Sequence, residues 1–484
     1  MSGLSRTAVP HPFARRLPLA TRLALIAALL PVVAAAQGLD RADLEAARAL
    51  RDSALRSPLA YELVTSLTTE VGQRAAGTPG DLAGVNWAVR KLRELGFANV
   101  RTMDVTVPRW IRGEASLEIV EPFPQSLPAV ALGGSIGTPD EGLQAEVVHV
   151  QNLQELDALS RERVEGRIVF FSQRTERTRD ASGYGRAVRV RVAGASAAAA
   201  KGAVAVVIRS ISTSNNRLPH TGAMSYSISS PRIPAVAISN PDADQLERIL
   251  ASGRSVRMAM RVTSRDLPQT RSANVIAEVP GTGLPEEIVL LGAHLDSWDL
   301  GTGALDDAAG VAIVTAAAHL LRQTNPRPRR TIRVVLYANE EFGLSGANTY
   351  AEVLRDEISR HAVAMEADLG AGPVWQLSSR VAETSLPLVQ QIHSIVAPLG
   401  VARVDNDADG GADISPLRRA GVPIIAPELD ASLYFDHHHS ANDTLDKVNP
   451  EHLAQSVAVY AVSAYLAARA SGRWPHLVTS ESTQ

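Results

Sequence analysis

The 484-residue chain contains no cysteine. That excludes a disulfide framework, a cysteine nucleophile and a lipid-modified cysteine. Aromatic residues are only 4% of the chain, the formal net charge is −3 and the pI is near 6.5, so stacking platforms are few and no basic footprint for nucleic acid exists. Nucleic acid is not an expected partner. The one basic run, Pro326-Arg327-Pro328-Arg329-Arg330, reads as a solvated loop entering a strand. Beyond the N-terminus no segment reads as an apolar run of transmembrane length.

What the N-terminus does have is informative. Arg15, Arg16 and Arg22 precede the apolar run LALIAALLPVV and then Ala34-Ala35-Ala36 before Gln37. A basic region, a short apolar core and small residues make a secretory signal, so residues 1–36 are expected to be removed and the mature protein exported, to the periplasm or outside the cell. No membrane contact is expected after cleavage. Arg15-Arg16 fits a twin-arginine pattern poorly, which favours the general secretory route.

The length requires more than one ordinary core. In the first part, residues 37–112, Pro79 opens a helix with Leu82, Val85, Val89, Leu92 and Leu95 on one stripe and Gly96 at its end, followed by the alternating strand VRTMDVTV. Residues 113–262 change texture: the short apolar strands RIVFF, VAVVI and IPAVAI are separated by the Ala-rich helix GASAAAAKGA and by loops such as SISTSNN. This is the pattern of an inserted module with its own core. In residues 263–484 the buried-type strands EIVLLGAH, TIRVVLYA, HAVAMEAD and VPIIAPE alternate with helices, as in an α/β fold with a mixed, largely parallel sheet. Function in such sheets gathers at the C-terminal ends of strands.

Those ends carry chemistry. One delivers His294 and Asp296, followed by Asp306-Asp307 entering a helix; the next delivers Glu340-Glu341; a third delivers Asp368; and YFDHHHSANDT supplies His437, His438 and His439. Taken singly, each is more often a cap or a satisfied polar group. Together they offer imidazole and carboxylate at successive strand ends, the ligand set of catalytic zinc, and a bridging carboxylate can hold two ions. Because strand side chains alternate faces, adjacent glutamates at a strand end are expected to point apart and do different work, one on metal and one as a base.

HLDSW, GALDDAAGVA, YANEEFGLSGA, MEADLG and HHSANDT, in this order, resemble the co-catalytic di-zinc exopeptidases of metallopeptidase clan MH, family 28. GQRAAGTPGD is similar to the family's N-terminal segment, and the inserted module resembles a protease-associated domain. The resemblance implies two zinc ions per chain, with His294 and Asp368 on one, Glu341 and His439 on the other, and Asp306 bridging. It makes Glu340 the general base, acting on a metal-bridged hydroxide, and implies a cis peptide between Asp306 and Asp307. Asp296, two residues past a ligand histidine, fits a carboxylate that fixes the imidazole tautomer and supports catalysis. Among the three histidines, His439 is chosen because Ser440, Asp443 and Thr444 follow it in the family's spacing; His438 is the alternative. Asp413 in GGADISPL matches a family segment and reads as a residue that holds a loop.

The function implied is hydrolysis of dipeptides or short peptides by an exported exopeptidase, of carboxypeptidase or dipeptidase type, and relatives imply a homodimer. An aminopeptidase on the same scaffold is the nearest alternative. A non-catalytic receptor-like member is disfavoured by the complete ligand set, and a glutaminyl cyclase by the inserted module and its single zinc.

Overall fold

The computed structural model describes residues 38–478, so the secretory signal expected in residues 1–36 lies outside the described residues. Two eight-stranded sheets form the framework. In the first, the strands Leu284–His294, Arg330–Tyr337, His361–Glu366 and Ile424–Leu429 run parallel at the centre, with antiparallel strands on both sides. Their side chains are buried on both faces, which is why they read as continuous apolar runs.

The helix Ala309–Leu321 is apolar all round because it packs between this sheet and the helix Pro450–Arg469. It belongs to Ala304–Leu321, which among the described residues is the one helical stretch long and apolar enough to cross a membrane. That stretch was not anticipated, and its burial in the core marks it as a core helix. The helix Pro79–Glu94 starts at Pro79 as expected, with Thr78 capping the Asp81 amide, but its buried face runs through Val85, Ala88 and Leu92, leaving Leu82 on the exposed flank. Arg330 also differs from expectation. It is fully buried, paired with Glu287 at 2.6 Å and donating to the carbonyls of Ala470 and Gly472.

The second sheet is built from strands between Ala115 and Val262. The chain leaves the first sheet along Ala98–Ile111 and returns along Arg265–Val279, a long antiparallel ribbon in which Ile111 pairs with Arg265. Residues 112–264 therefore depart from and return to one place. Their central strands Leu143–Val150, Ile168–Phe171, Ala205–Arg209 and Ala235–Ile238 are parallel, and apolar clusters cover both faces. The helix between the second and third of these runs from Ser182 to Ala200, starting well before the Ala-rich stretch.

Candidate metal centre

Strand register sets the site. His294 pairs with Tyr337 across two parallel strands, and Gly292 pairs with Glu366 on the other side, so the segments that leave these strands emerge side by side. His294 ends the first strand. Glu340 and Glu341 lie beyond the second strand, in a turn entered through Asn339 at φ 60°. Strand alternation is therefore not what separates the two glutamates, contrary to expectation; the turn does. Its amides are held by Asp296, whose Oδ1 accepts from Glu340 N at 3.0 Å and Oδ2 from Glu341 N at 3.3 Å.

Asp306 occupies the centre. Its Oδ1 lies 3.1 Å from His294 Nε2, which is also 3.4 Å from Asp368 Oδ1. Its Oδ2 lies 3.2 Å from His439 Nε2, which is 3.0 Å from Glu341 Oε2. One carboxylate thus faces two separate imidazole and carboxylate pairs. The peptide between Asp306 and Asp307 is cis, and Asp307 turns away to accept from His294 N at 3.1 Å and Gly310 N at 3.0 Å. Gly310 must be glycine, since a Cβ there would sit 2.0 Å from Ala367 O and 2.3 Å from Asp307 Oδ1.

The outer ring nitrogens differ in what they face. His294 Nδ1 faces the carbonyl of Asp296 at 3.1 Å, and His439 Nδ1 faces the carbonyl of Thr221 at 3.3 Å. A carbonyl only accepts, so His294 Nδ1 carries hydrogen, whereas His439 Nδ1 also faces the Arg191 guanidinium at 3.4 Å. Burial, opposed by Asp306, pushes His439 down to about 4, which keeps it neutral. Its Nε2 faces carboxylate oxygens of both Asp306 and Glu341. Asp306 Oδ2 and Glu341 Oε1 are buried and accept no hydrogen bond. Neighbouring ligands of tetrahedral zinc with bonds of ~2.0 Å lie about 3.3 Å apart, close to the separations seen here. The donor set fits two divalent cations, one on each side of Asp306.

Charge tells the same story. Burial, then Asp368, Asp296 and Asp306, raise Glu340 well above the usual carboxylate range against the pull of His294; burial and Asp306 do the same to Glu341. Burial opposes the charged form of His294, but Asp368, Asp296 and Asp306 outweigh it and hold the imidazole well above its ordinary value. So dense a cluster of buried carboxylates calls for compensating positive charge.

The histidine run divides clearly. His439 is nearest both Glu341 and Asp306; His438 stacks on it at 3.4 Å with its Nε2 3.8 Å from Asp306; His437 is half-buried and contacts Asn442 at 3.5 Å. Asp413 is buried beneath the site beside Glu366, which accepts from Ile414 N at 2.8 Å and is pushed up to about 8 by burial and Asp368.

Several site residues escaped the reading of the sequence. Arg74 is fully buried and donates to the carbonyls of Leu295 at 2.7 Å, Thr302 at 2.7 Å and Gly303 at 2.9 Å, tying together the loops that carry His294 and Asp306. Asp443, used in the sequence only to place His439, accepts from Leu305 N at 2.7 Å and Asp306 N at 3.2 Å. From the second-sheet segment, His220 Nδ1 donates to His438 O at 2.6 Å, Thr221 N donates to His439 O at 2.9 Å, and Ser212 Oγ donates to Phe435 O at 2.8 Å. Tyr184 stacks on Phe435 at 4.4 Å. The Tyr434 phenol is raised well above its ordinary value by burial and by Asp306, Asp368 and Glu341, so it stays neutral and able to donate.

A model of Peptidase family M28 matches residues 274–464. Carboxypeptidase Q of Rattus norvegicus is 37% identical over 408 residues, covering 84% of this chain and 85% of the relative. The crystal structure of a peptidase M28 precursor from Shewanella amazonensis SB2B has a TM-score of 0.89 and 48% identity, covering 90% of this chain and 99% of that chain. A zinc aminopeptidase from Bacillus subtilis, at 20% identity and a TM-score of 0.61 over 84% of this chain and 94% of that one, shares the fold. By sequence and by fold, the chain belongs to peptidase family M28.

Proposed function

We propose that this zinc exopeptidase is exported and removes single residues from unblocked dipeptides or short peptides, as the name of its relative carboxypeptidase Q suggests. The observation that carries the reading is Asp306, with one oxygen toward His294 and Asp368 and the other toward His439 and Glu341. His294, Asp306 and Asp368 would hold one zinc, and Asp306, Glu341 and His439 the other. When bound, the two ions would supply Lewis acidity for the scissile carbonyl and for the attacking water.

The protein's own groups do the rest. Glu340 takes the proton of the attacking water and returns it to the departing amine. Asp296 fixes the turn that aims Glu340 and Glu341 in different directions. Neutral Tyr434 faces the carboxylate cluster and can donate to the carbonyl oxygen as charge develops on it. Residues 113–262, read as a protease-associated module, buttress the loop of His439. Export rests on the basic and apolar N-terminal segment, and a homodimer is the expected assembly.

An aminopeptidase on the same scaffold is the second reading, favoured by the fold shared with a zinc aminopeptidase. Metal analysis and a dipeptide panel, free or blocked at each end, test both. Two zinc ions per chain and preference for doubly free dipeptides support the proposal. Strong cleavage of C-amidated peptides alone favours the aminopeptidase, and efficient cutting inside doubly blocked peptides removes both.

A further inference from the structure

A cavity of about 380 Å³ lies beside the candidate metal centre, with Asp296 and Glu341 among its lining residues. Its walls combine apolar and aromatic side chains with the carboxylates of Asp296, Asp299 and Glu341. Pro108, Trp110 and Ile111 come from the ribbon that leads to the second sheet, and Trp298 and Phe342 from the loops that follow His294 and Glu341. Trp110 and Trp298 pack on either side of Phe342, with ring centroids 6.2 and 5.8 Å away. Such interlocked rings hold their shape.

The one cation in the wall is already engaged. Arg112 is paired with Asp299, donates to Thr221 Oγ1 at 2.8 Å and lies over the rings of Trp110 and Trp298 at 4.9 and 5.3 Å. An anionic occupant would lose its hydration, face the carboxylates of Asp296, Asp299 and Glu341, and find no free cation among the lining residues. Trp298 itself is 7% exposed, and its indole Nε1 is buried without a hydrogen-bond partner. On its other side the Trp298 ring lies 5.6 Å from the His439 ring, which joins the cavity to the Glu341 and His439 half of the centre. The second-sheet segment closes over the rings through glycine: a Cβ at Gly133 would sit 2.1 Å from Trp298 and one at Gly134 3.3 Å from Phe342.

We propose that this cavity is the pocket that receives a substrate side chain and that it selects a large apolar residue, aromatic or long aliphatic. The proposal rests on the exopeptidase reading and names the substrate class of that site. Burial of such a side chain against the rings is favourable in proportion to its area, whereas glycine leaves the cavity unfilled and aspartate enters it unpaired.

The test is a panel of free dipeptides varied at one position at a time among Gly, Leu, Phe, Asp and Lys, measured with wild type, Phe342→Ala and Ala75→Phe. Ala75 also lines the cavity, so its enlargement fills the space. At one of the two positions, wild type is expected to prefer Phe or Leu over Gly and Asp by about 10- to 100-fold in kcat/KM. Ala75→Phe should lose at least that advantage while cutting glycine-containing dipeptides as wild type does, and Phe342→Ala should flatten the preference. Variants that alter every substrate by the same factor, with wild-type cleavage intact, would overturn the pocket and leave the exopeptidase reading standing, as would a wild-type preference for charged side chains at both positions. If wild type cuts no dipeptide at all, the functional reading fails and the pocket with it.

Discussion

Asp296 binds the backbone of both glutamates, accepting from Glu340 N through Oδ1 at 3.0 Å and from Glu341 N through Oδ2 at 3.3 Å, while its own carbonyl faces His294 Nδ1 at 3.1 Å. One residue therefore sets the tautomer of a candidate ligand and the direction of a candidate base. The tautomer is set by the carbonyl; the carboxylate, 3.6 Å from Nδ1, is directed to the turn.

Replacing Asp296 by Asn puts an amide NH2 opposite one of two backbone N–H groups and removes one acceptor. Asp296→Asn should fold, keep the His294 tautomer and lose about 10- to 100-fold in kcat, with KM much less affected. A variant with wild-type kcat would show that the turn is held without the carboxylate.

The two glutamates should part company under the same substitution. Glu340→Gln is expected to retain both metals and to lose about 10²- to 10⁴-fold in kcat. Glu341→Gln should instead release metal from the side of the centre that holds His439. Elemental analysis beside kinetics checks the pair, and near-normal turnover in Glu340→Gln would remove it from the role of base.

The central strands and the order of the strand-end groups were legible because buried parallel strands are apolar throughout and their last polar residues stand out. His294, Asp306, Asp368, Glu341 and His439 converge for that reason. Arg74, His220 and Thr221 left no such trace. Each acts on a carbonyl far away in the chain, at Leu295, His438 and His439, and a donor to a distant carbonyl has no local spacing to reveal it. The start of the helix at Ser182 was hidden by Gly183, Gly185 and the interspersed arginines Arg186, Arg189 and Arg191. Arg330 misled because a charged residue in a basic run gives no hint of a half-buried carboxylate and two carbonyls waiting for it.

His439 lies at φ 60°, where a residue with a side chain is strained by roughly 1–3 kcal/mol unless its surroundings hold it. The flanking carbonyls are gripped from the second-sheet segment: His438 O by His220 and His439 O by Thr221 N. His439→Ala should reduce zinc content, and His437→Ala should leave it at the wild-type value. His220→Phe, which touches no ligand side chain, should weaken the Glu341 and His439 ion about 10-fold in chelator competition and leave the other ion unchanged. Equal weakening of both ions would mean that the clamp supports the fold in general.

The last expectation concerns acid. His361 is fully buried at the far end of its strand, with Nδ1 donating to Glu357 O at 3.1 Å and Nε2 accepting from Tyr350 O–H at 2.9 Å, while Arg333 donates to the same hydroxyl at 3.0 Å. Burial, then Arg333, push its pKa from 6.5 down to about 4. A histidine depressed in this way is neutral in the fold and takes a proton more readily when unfolded. Its contribution is complete above pH 6.5 and drains away as pH falls through 4, by about 3 kcal/mol in all. His361→Gln cannot titrate, so the stability gap between wild type and variant in denaturant melts should be widest at pH 7 and above and shrink steadily toward pH 4. Effects of acid on the metal centre are common to both proteins and cancel in the difference. A gap that stays constant from pH 7 to pH 4 would mean that His361 binds protons equally in the folded and unfolded chain, in conflict with its burial and the hydroxyl it accepts from.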